Sequence, residues 1–237
     1  MTPRTPVPAD RLSNDGQQSR EGTVIRVPVS TELQWFEQHW QHLDDAERAR
    51  AGRLRVMADR QRFVVARSSL RQLLGHRLGV SPGRIAFATG PFGKPVLRDQ
   101  SAALHFNLSH SGDWILIACD RRAPVGIDVE KIRPDMADID PFRPVLATEE
   151  WTVLQGLPRQ QRARAFATTW VRKEAYVKAL GEGMSRSLGN ICITTDRDGQ
   201  PRLGYDRGGE DSIDRWRFTD IDIDDDHVGC LVNRDHA

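Results

Sequence analysis

Two acidic residues stand two positions apart in the segment VGIDVEKI. Successive side chains of a β-strand point to opposite faces, so Ile127 and Val129 can enter a core. Asp128 and Glu130 then face the other way, together with Gly126. Two unpaired carboxylates at this separation repel each other, and a hard divalent cation with oxygen ligands relieves the repulsion. The pattern predicts a magnesium site, although a solvent-facing strand with ordinary polar alternation is the alternative.

An acid and a base follow on a predicted helix, in the segment TTWVRKEAYVKALGEG. Trp170, Glu174 and Lys178 are spaced four apart, so they lie along one stripe of the helix surface. A glutamate followed by a lysine at this spacing is also a common stabilising pair on exposed helices. Gly181 and Gly183 allow a helix stop or a close approach of the backbone to a ligand.

Candidate anion-binding residues precede both segments. Lys94 stands between a glycine and a proline in FGKPVL, where a rigid turn can hold its ammonium group near a phosphate. In FNLSHSGDW, the donors of Asn107, Ser109, His110 and Ser111 can converge on an anion at the end of a strand. An exposed turn lysine and a plain polar turn are the alternatives. A hydrolytic triad is not indicated, because GxSxG is absent and adjacent side chains diverge on a strand.

An arginine-rich segment, ERARAGRLRVMADRQRFVVARSSLR, lies upstream. Its arginines can line a cleft or simply be solvated, and solvation is the favoured interpretation for most of them. Arg67 differs because it follows the apolar run VVA, which predicts a position between a buried face and a ligand. Nucleic-acid binding is disfavoured, since no aromatic stacking platform accompanies the basic residues.

Two groups of helices and strands must position these residues. Helical periodicity covers residues 30–74, with Gly75 and Gly79 as stop signals, and strands follow at 84–88, 95–97, 104–108 and 114–119. The second half repeats this order, with a strand at 125–131, helices at 148–156 and 159–180, and strands near Ile191, Trp216 and Val228. We predict a flexible lead (1–22) and two subdomains (23–122 and 123–237) that meet near the short segment DRRAP. A true internal duplication remains open.

Three acidic stretches receive structural interpretations. Residues 196–199 (DRDG) predict a hairpin turn, and residues 221–226 (IDIDDD) predict an edge strand with an exposed acidic face. Glu149 and Glu150 stand where a helix begins, and acids are expected there from the helix dipole alone. We therefore leave them outside the predicted site.

Composition narrows the class of protein. The chain has 237 residues, 38% of them hydrophobic, which is enough for a core. The 34 Lys and Arg nearly balance the 33 Asp and Glu, so net charge names no partner. Three dispersed cysteines without CxxC indicate neither a disulfide framework nor a zinc site. With no secretory signal and no apolar run that can cross a bilayer, we expect a cytoplasmic protein without membrane association.

Taken in order, GKP, FNLSHS, GIDVE and WVRKEAYVKALGEG resemble the motif series of the 4′-phosphopantetheinyl transferases, specifically the larger, Sfp-like class. The resemblance runs from about Ala66 to Ser185. It implies an α+β fold of two pseudo-symmetric α/β subdomains, with coenzyme A in the cleft between them. It also implies that Asp128, Glu130 and Glu174 hold Mg²⁺. The residues that it assigns to the coenzyme A nucleotide and phosphates are Arg67, Lys94, Ser109, His110 and Lys178.

The implied reaction moves the phosphopantetheine arm of coenzyme A to a serine of an acyl, polyketide or peptidyl carrier protein. Positioning and charge stabilisation dominate such a phosphoryl transfer. A carboxylate, by preference Glu174, accepts the serine proton, and Lys178 stabilises the departing 3′,5′-ADP. We expect a monomer, because the two halves supply their own cleft, and no nucleic-acid partner.

Two other functions remain as alternatives. A non-catalytic coenzyme A-binding module would keep the cleft, but the intact set Asp128, Glu130, Glu174 and Lys178 disfavours it. A different magnesium-dependent nucleotide enzyme, such as a kinase, is disfavoured because GxxxxGK[ST] is absent. The identity of the carrier protein remains open.

Overall fold

The structure is a computed structural model that describes residues 22–29, 33–90, 94–99, 101, 103–181, 186–209 and 211–235. Except for Gly22, the predicted N-terminal lead lies outside the described residues, and so do Ser30, Thr31 and Gly183. Neither of the two longest helices, nor any other helix in the described ranges, is long and apolar enough to span a membrane.

The first half builds a three-stranded antiparallel sheet that is covered by a long helix. Its elements are β1 (Gly22–Pro28), α1 (Leu33–Trp40), α2 (Asp45–Arg53), α3 (Met57–Leu78), β2 (Phe87–Thr89), β3 (Pro95–Leu97), β4 (His105–Ser111) and β5 (Trp114–Asp120). The sheet order is β1-β5-β4, and β2 pairs with β3 in a separate hairpin. Helix α3 packs Leu70 and Leu74 into the same core as Ile115 and Ile117 of β5.

The second half repeats this arrangement. Its elements are β6 (Val125–Lys131), α4 (Thr148–Gly156), α5 (Arg159–Leu180), β7 (Ile191–Thr195), β8 (Pro201–Asp206), β9 (Trp216–Asp224) and β10 (His227–Arg234). The sheet order is β6-β10-β9, and β7 pairs with β8. Helix α5 has 22 residues, as α3 has, and it packs against this sheet. The α+β class is therefore confirmed.

A third apolar cluster joins the two halves. Leu116 and Ala118 of β5 pack with Val125, Ile127 and Val129 of β6. Residues 121–124 connect β5 directly to β6. The two sheets thus share a core, which packs β5 against β6.

The helices and turns of the second half confirm the predictions closely. Helices α4 and α5 have the predicted bounds. The turn at residues 196–199 joins β7 to β8, and β9 is an edge strand. The division at residues 122 and 123 stays a prediction.

The described part of residues 30–74 is mostly helical, as predicted. Three helices occupy this part of the described chain, because the Asp44 side chain caps the start of α2 by accepting the Glu47 N–H. Helix α3 continues past Gly75, where a Cβ atom would lie 2.7 Å from the Val80 carbonyl oxygen, and ends at Gly79 with φ 67°. Strand β2 starts at Phe87 rather than Arg84, because a 3₁₀ turn precedes it. Strands β1 and β8 were not predicted.

Two histidines share one buried hydroxyl group beneath α1. The Nδ1 atoms of His39 and His42 each lie 2.8 Å from Oγ of Ser68, which α3 buries. Burial and the neighbouring His42 lower the pKa of His39 to about 4, and burial also lowers the pKa of His42. The folded protein therefore favours neutral rings here.

This arrangement predicts acid sensitivity. Between pH 6.5 and about 4 the unfolded chain binds a proton at His39 that the folded protein does not. The free energy of unfolding should therefore fall as the pH drops through this window, by up to about 1.4 kcal/mol per pH unit for this residue. Urea unfolding at several pH values should show a shallower fall for His39→Gln. An unchanged slope would contradict the assignment.

Candidate active site

Helix α5 lies directly on strand β6 at Gly126. A Cβ atom on this residue would stand 1.9 Å from the Ala175 carbonyl oxygen and 2.4 Å from the Ala179 nitrogen. Only glycine permits so close an approach of the two backbones. The contact places Lys178 within reach of Asp128, two residues along the strand.

A lysine, a buried aspartate and a serine meet at this point. Nζ of Lys178 lies 2.6 Å from Oδ1 of Asp128 and 3.0 Å from Oγ of Ser109. The Ser109 hydroxyl group also donates to Oδ1 of Asp128 at 2.6 Å. Asp128 is only 5% exposed, so these hydrogen bonds replace the water that its carboxylate loses. The structure therefore unites residues from three of the motifs.

Glu130 and Glu174 lie in the electrostatic field of Asp128. Burial and the negative charge of Asp128 raise the pKa of Glu174, while Lys178 opposes the rise. Burial also raises the pKa of Glu130, where the Asp128 charge adds to the rise and Arg133, 2.9 Å from Oε1, opposes it. A nearby cation would stabilise the ionised form of both carboxylates.

The donor set fits a magnesium ion chemically. Three carboxylates supply the oxygen ligands that Mg²⁺ prefers. The carboxylates repel one another, and a divalent cation between them would relieve this repulsion. Within the described ranges, no three His, Cys, Asp or Glu side chains are arranged closely enough to hold a metal ion. Lys178 pairs with Asp128 in this arrangement, and Arg133 pairs with Glu130. Ligation by all three carboxylates stays a prediction.

Lys94 and His110 lie close to Lys178. Nζ of Lys94 donates to the Lys178 carbonyl oxygen at 3.0 Å, and burial together with the Lys178 charge lowers the pKa of Lys94. His110 is accessible to solvent, yet desolvation of its ring and the charges of Arg62 and Lys178 lower its pKa. A bound anion would offset the positive charges of Lys94 and Lys178. The site as a whole therefore suits a polyanion together with a divalent cation.

A cavity of about 330 Å³ opens next to Lys94. Apolar side chains of both halves line it, among them Pro95, Phe106, Val125 and Leu180. The cavity therefore lies in the cleft between the halves and shares Lys94 with the charged cluster.

Arg67 lies in a different network. Its Nε donates to Oε1 of Glu47 at 2.5 Å, and its guanidinium group stacks 4.2 Å from the centre of the Phe87 ring. The fully buried Arg71 binds the same glutamate at 2.7 Å. These contacts hold α2 and β2 to α3 rather than joining the cluster, and a contact of Arg67 with a nucleotide stays a prediction.

Sequence reasoning missed Lys173, which precedes Glu174. Its Nζ donates to the carbonyl oxygens of Val145 and Leu188 at 2.8 and 3.0 Å and pairs with buried Glu150. The carboxylate of Glu150 also accepts the N–H of Ala147 at 2.8 Å. Glu150 therefore has a structural role between α4 and α5. The spacing of Lys173 could have indicated its burial. Lys173 lies four positions before the buried Val177, and so on the apolar stripe of α5.

Replacing this lysine should destabilise the fold. Lys173→Met leaves the Glu150 carboxylate buried without its cation, so the free energy of unfolding should fall by about 3 to 5 kcal/mol. Urea unfolding measures the change. The neighbouring Arg172→Met is a matched control, because its partner Asp220 is 45% exposed and the loss should be about 1 kcal/mol or less. Equal losses in the two variants would refute this role of Lys173.

Comparisons with known proteins identify one family across most of the chain. The family model described as "4'-phosphopantetheinyl transferase, N-terminal" matches residues 29–122, and that of the "4'-phosphopantetheinyl transferase superfamily" matches residues 124–232. The 4′-phosphopantetheinyl transferase HetI of Nostoc sp. is 36% identical over 171 residues, which are 71% of this chain and 72% of that protein. The 4′-phosphopantetheinyl transferase Sfp of Bacillus subtilis is 28% identical over 89% of this chain and 84% of its own length.

Alignments with other relatives and with solved structures cover smaller parts of the proteins. Alignments with other curated relatives span as little as 57% of those proteins. Among solved structures, the holo-[acyl-carrier-protein] synthase of Neisseria meningitidis is 22% identical, with a TM-score of 0.40. That match covers 48% of this chain and 98% of the synthase.

Proposed function

Because this chain belongs to the 4′-phosphopantetheinyl transferase superfamily, and within it to the Sfp-like class that its motifs predicted, we propose that it transfers phosphopantetheine from coenzyme A to a carrier protein. The observation that carries the proposal is the meeting of Lys178, Asp128 and Ser109 beside Lys94 in the cleft. The acceptor is a serine of an acyl, polyketide or peptidyl carrier protein. The chain acts as a monomer, since its own halves form the cleft.

Different residues of the site bind different parts of coenzyme A. Lys94, His110 and Lys178 take its phosphates, and the apolar cavity beside Lys94 takes the adenine base. Asp128, Glu130 and Glu174 hold Mg²⁺, for which Lys178 and Arg133 release their carboxylates. When bound, the ion neutralises the negative charge that develops on the pyrophosphate oxygens.

The reaction replaces one phosphorus–oxygen bond with another. The acceptor serine oxygen bonds to the β-phosphorus of coenzyme A, and the bond from that phosphorus to the bridging pyrophosphate oxygen breaks. Lys178 stabilises the 3′,5′-ADP that leaves. Glu174 accepts the serine proton. We assign this role to Glu174 because burial raises its pKa and it lies one helical turn before Lys178, the residue that stabilises the leaving group.

Glu174→Gln should therefore lower kcat by at least about 100-fold, because the amide accepts no proton and carries no charge. Steady-state transfer rates with saturating coenzyme A measure the loss. Glu149→Gln is the control, since Glu149 is an exposed residue of α4 whose Oε2 accepts a hydrogen bond from the Tyr205 hydroxyl group. A rate for Glu174→Gln as high as that for the control would refute the role of Glu174 as the base.

The direct test of the proposal follows the leaving group. Incubation with coenzyme A, Mg²⁺ and an apo carrier protein should release one 3′,5′-ADP for each carrier molecule, measured by chromatography, and EDTA should abolish the release. Coenzyme A binding by calorimetry without any release, across acyl, polyketide and peptidyl carriers, would instead identify a binding module.

A further inference from the structure

Strands β4 and β6 meet without a shared main-chain ladder. They are edge strands of separate sheets, yet they pack side by side where the two halves join. Three side chains of β4 bridge the gap, and we call Asn107, Ser109 and Ser111 the side-chain ladder. They alternate with Phe106 and Leu108, which turn into the core under α3.

Each residue of the side-chain ladder forms a hydrogen bond with β6. Oδ1 of Asn107 accepts the Ile127 N–H at 3.0 Å, and the Asn107 side chain is buried. The Ser109 hydroxyl group donates to Asp128, as described above. Oγ of Ser111 accepts the Lys131 N–H at 3.0 Å.

The rungs bracket the two carboxylates of β6. Asn107 binds the residue before Asp128, and Ser111 binds the residue after Glu130. The Ile127 carbonyl oxygen, one peptide away from the Asn107 contact, also accepts a hydrogen bond from Nζ of Lys178 at 3.4 Å. An edge strand without such partners could shift relative to β4, and both carboxylates would move with it.

We propose that Asn107 and Ser111 are positioning residues that hold Asp128 and Glu130 in the arrangement needed to bind the divalent cation. This inference rests on the proposed metal site. Neither side chain is a ligand itself. Asn107 acts through the Ile127 N–H, and Ser111 acts through the Lys131 N–H and through a hydrogen bond with the Glu130 carboxylate. Partners of this kind, one shell away from a ligand, typically change metal affinity by about 10- to 100-fold when removed.

The test measures metal binding without turnover. Mn²⁺ is titrated into the full chain with coenzyme A present, and the free ion is followed by electron paramagnetic resonance. Asn107→Val, which cannot accept a hydrogen bond, should weaken Mn²⁺ binding by about tenfold. Asn107→Ser should retain most of the affinity, because a serine oxygen makes the equivalent contact at position 111. Ser111→Ala should weaken binding, whereas Ser101→Ala should not, since Ser101 bonds Asp99 outside the ladder.

The outcomes separate this inference from the metal site on which it rests. Equal Mn²⁺ affinity in Asn107→Val, Ser111→Ala and the unaltered chain would overturn the positioning role. The Asp128→Ala variant tests the metal site itself and needs no ladder variant. If it binds Mn²⁺ as tightly as the unaltered chain does, the proposed metal site is wrong. If circular dichroism shows that Asn107→Val does not fold, Ser111→Ala against Ser101→Ala decides the question.

Discussion

Asp128→Asn should reduce kcat/KM for phosphopantetheine transfer by about 1,000-fold or more, while the protein remains folded. Asparagine keeps the shape and one acceptor oxygen, so the Ser109 hydrogen bond can persist. The substitution removes the negative charge that pairs with Lys178 and that the proposed metal site requires. Lys178 would then lie beside an uncharged amide, and the carboxylate set would fall to two. Steady-state kinetics with varied Mg²⁺ measure both effects.

The control for this variant is Asp220→Asn. Asp220 is also a carboxylate of the second half that pairs with a cation, but it is 45% exposed and its partner is Arg172. Its loss should change kcat/KM little, because exposed ion pairs contribute about 1 kcal/mol or less and this pair is not part of the cluster. Near-normal transfer by Asp128→Asn would contradict the assigned role of Asp128.

Gly126→Ala should separate α5 from β6 and impair both stability and activity. The added methyl group would overlap the Ala175 carbonyl oxygen at 1.9 Å, and neither backbone can yield without a shift of the helix. We expect the free energy of unfolding to fall by about 3 kcal/mol or more. In the folded fraction, kcat/KM should fall by at least about 100-fold, since Glu174 and Lys178 move with the helix.

Gly52→Ala is the matched control for this effect. Gly52 lies in helix α2, and a Cβ atom there would meet nothing within 4 Å. Alanine is favoured over glycine in helices by about 1 kcal/mol, so this variant should be at least as stable as the unaltered chain. Urea unfolding and transfer rates for both variants test the contrast. Similar behaviour of the two would show that the contact at Gly126 does not position the site.

The sequence predicted those features that depend on local periodicity. Alternation in VGIDVEKI placed Ile127 and Val129 in the core and Asp128 on the opposite face, because β6 has a sheet on one face and α5 on the other. Four-residue spacing placed Glu174 and Lys178 on one stripe, and both lie in the electrostatic field of Asp128. The motif order then connected these segments with Lys94 and Ser109.

Features that depend on distant partners were not predicted. Strand β1 pairs with β5, with Gly22 opposite Asp120, and nothing local to either segment specifies this pairing. The contact of Arg67 with Glu47, twenty residues away, was not predicted either. In each case the partner is chosen by the packing of whole elements, which residue spacing does not encode.

The side-chain ladder illustrates the same limit within a motif. FNLSHS indicated a cluster of donors at the end of a strand, and anion binding was the predicted use of Asn107, Ser109, His110 and Ser111. The structure turns the alternate residues 107, 109 and 111 towards β6, and anion binding by this cluster stays a prediction. The strand period was visible in the sequence, but the edge that it would face was not.

The intact mass of an apo carrier protein tests the central claim most directly. The carrier is incubated with this chain, coenzyme A and Mg²⁺, in parallel with an EDTA control and with Asp128→Ala. The account predicts a gain equal to one phosphopantetheine group that is absent from both controls. An unchanged mass with acyl, polyketide and peptidyl carriers, under conditions in which the chain binds coenzyme A, would contradict it.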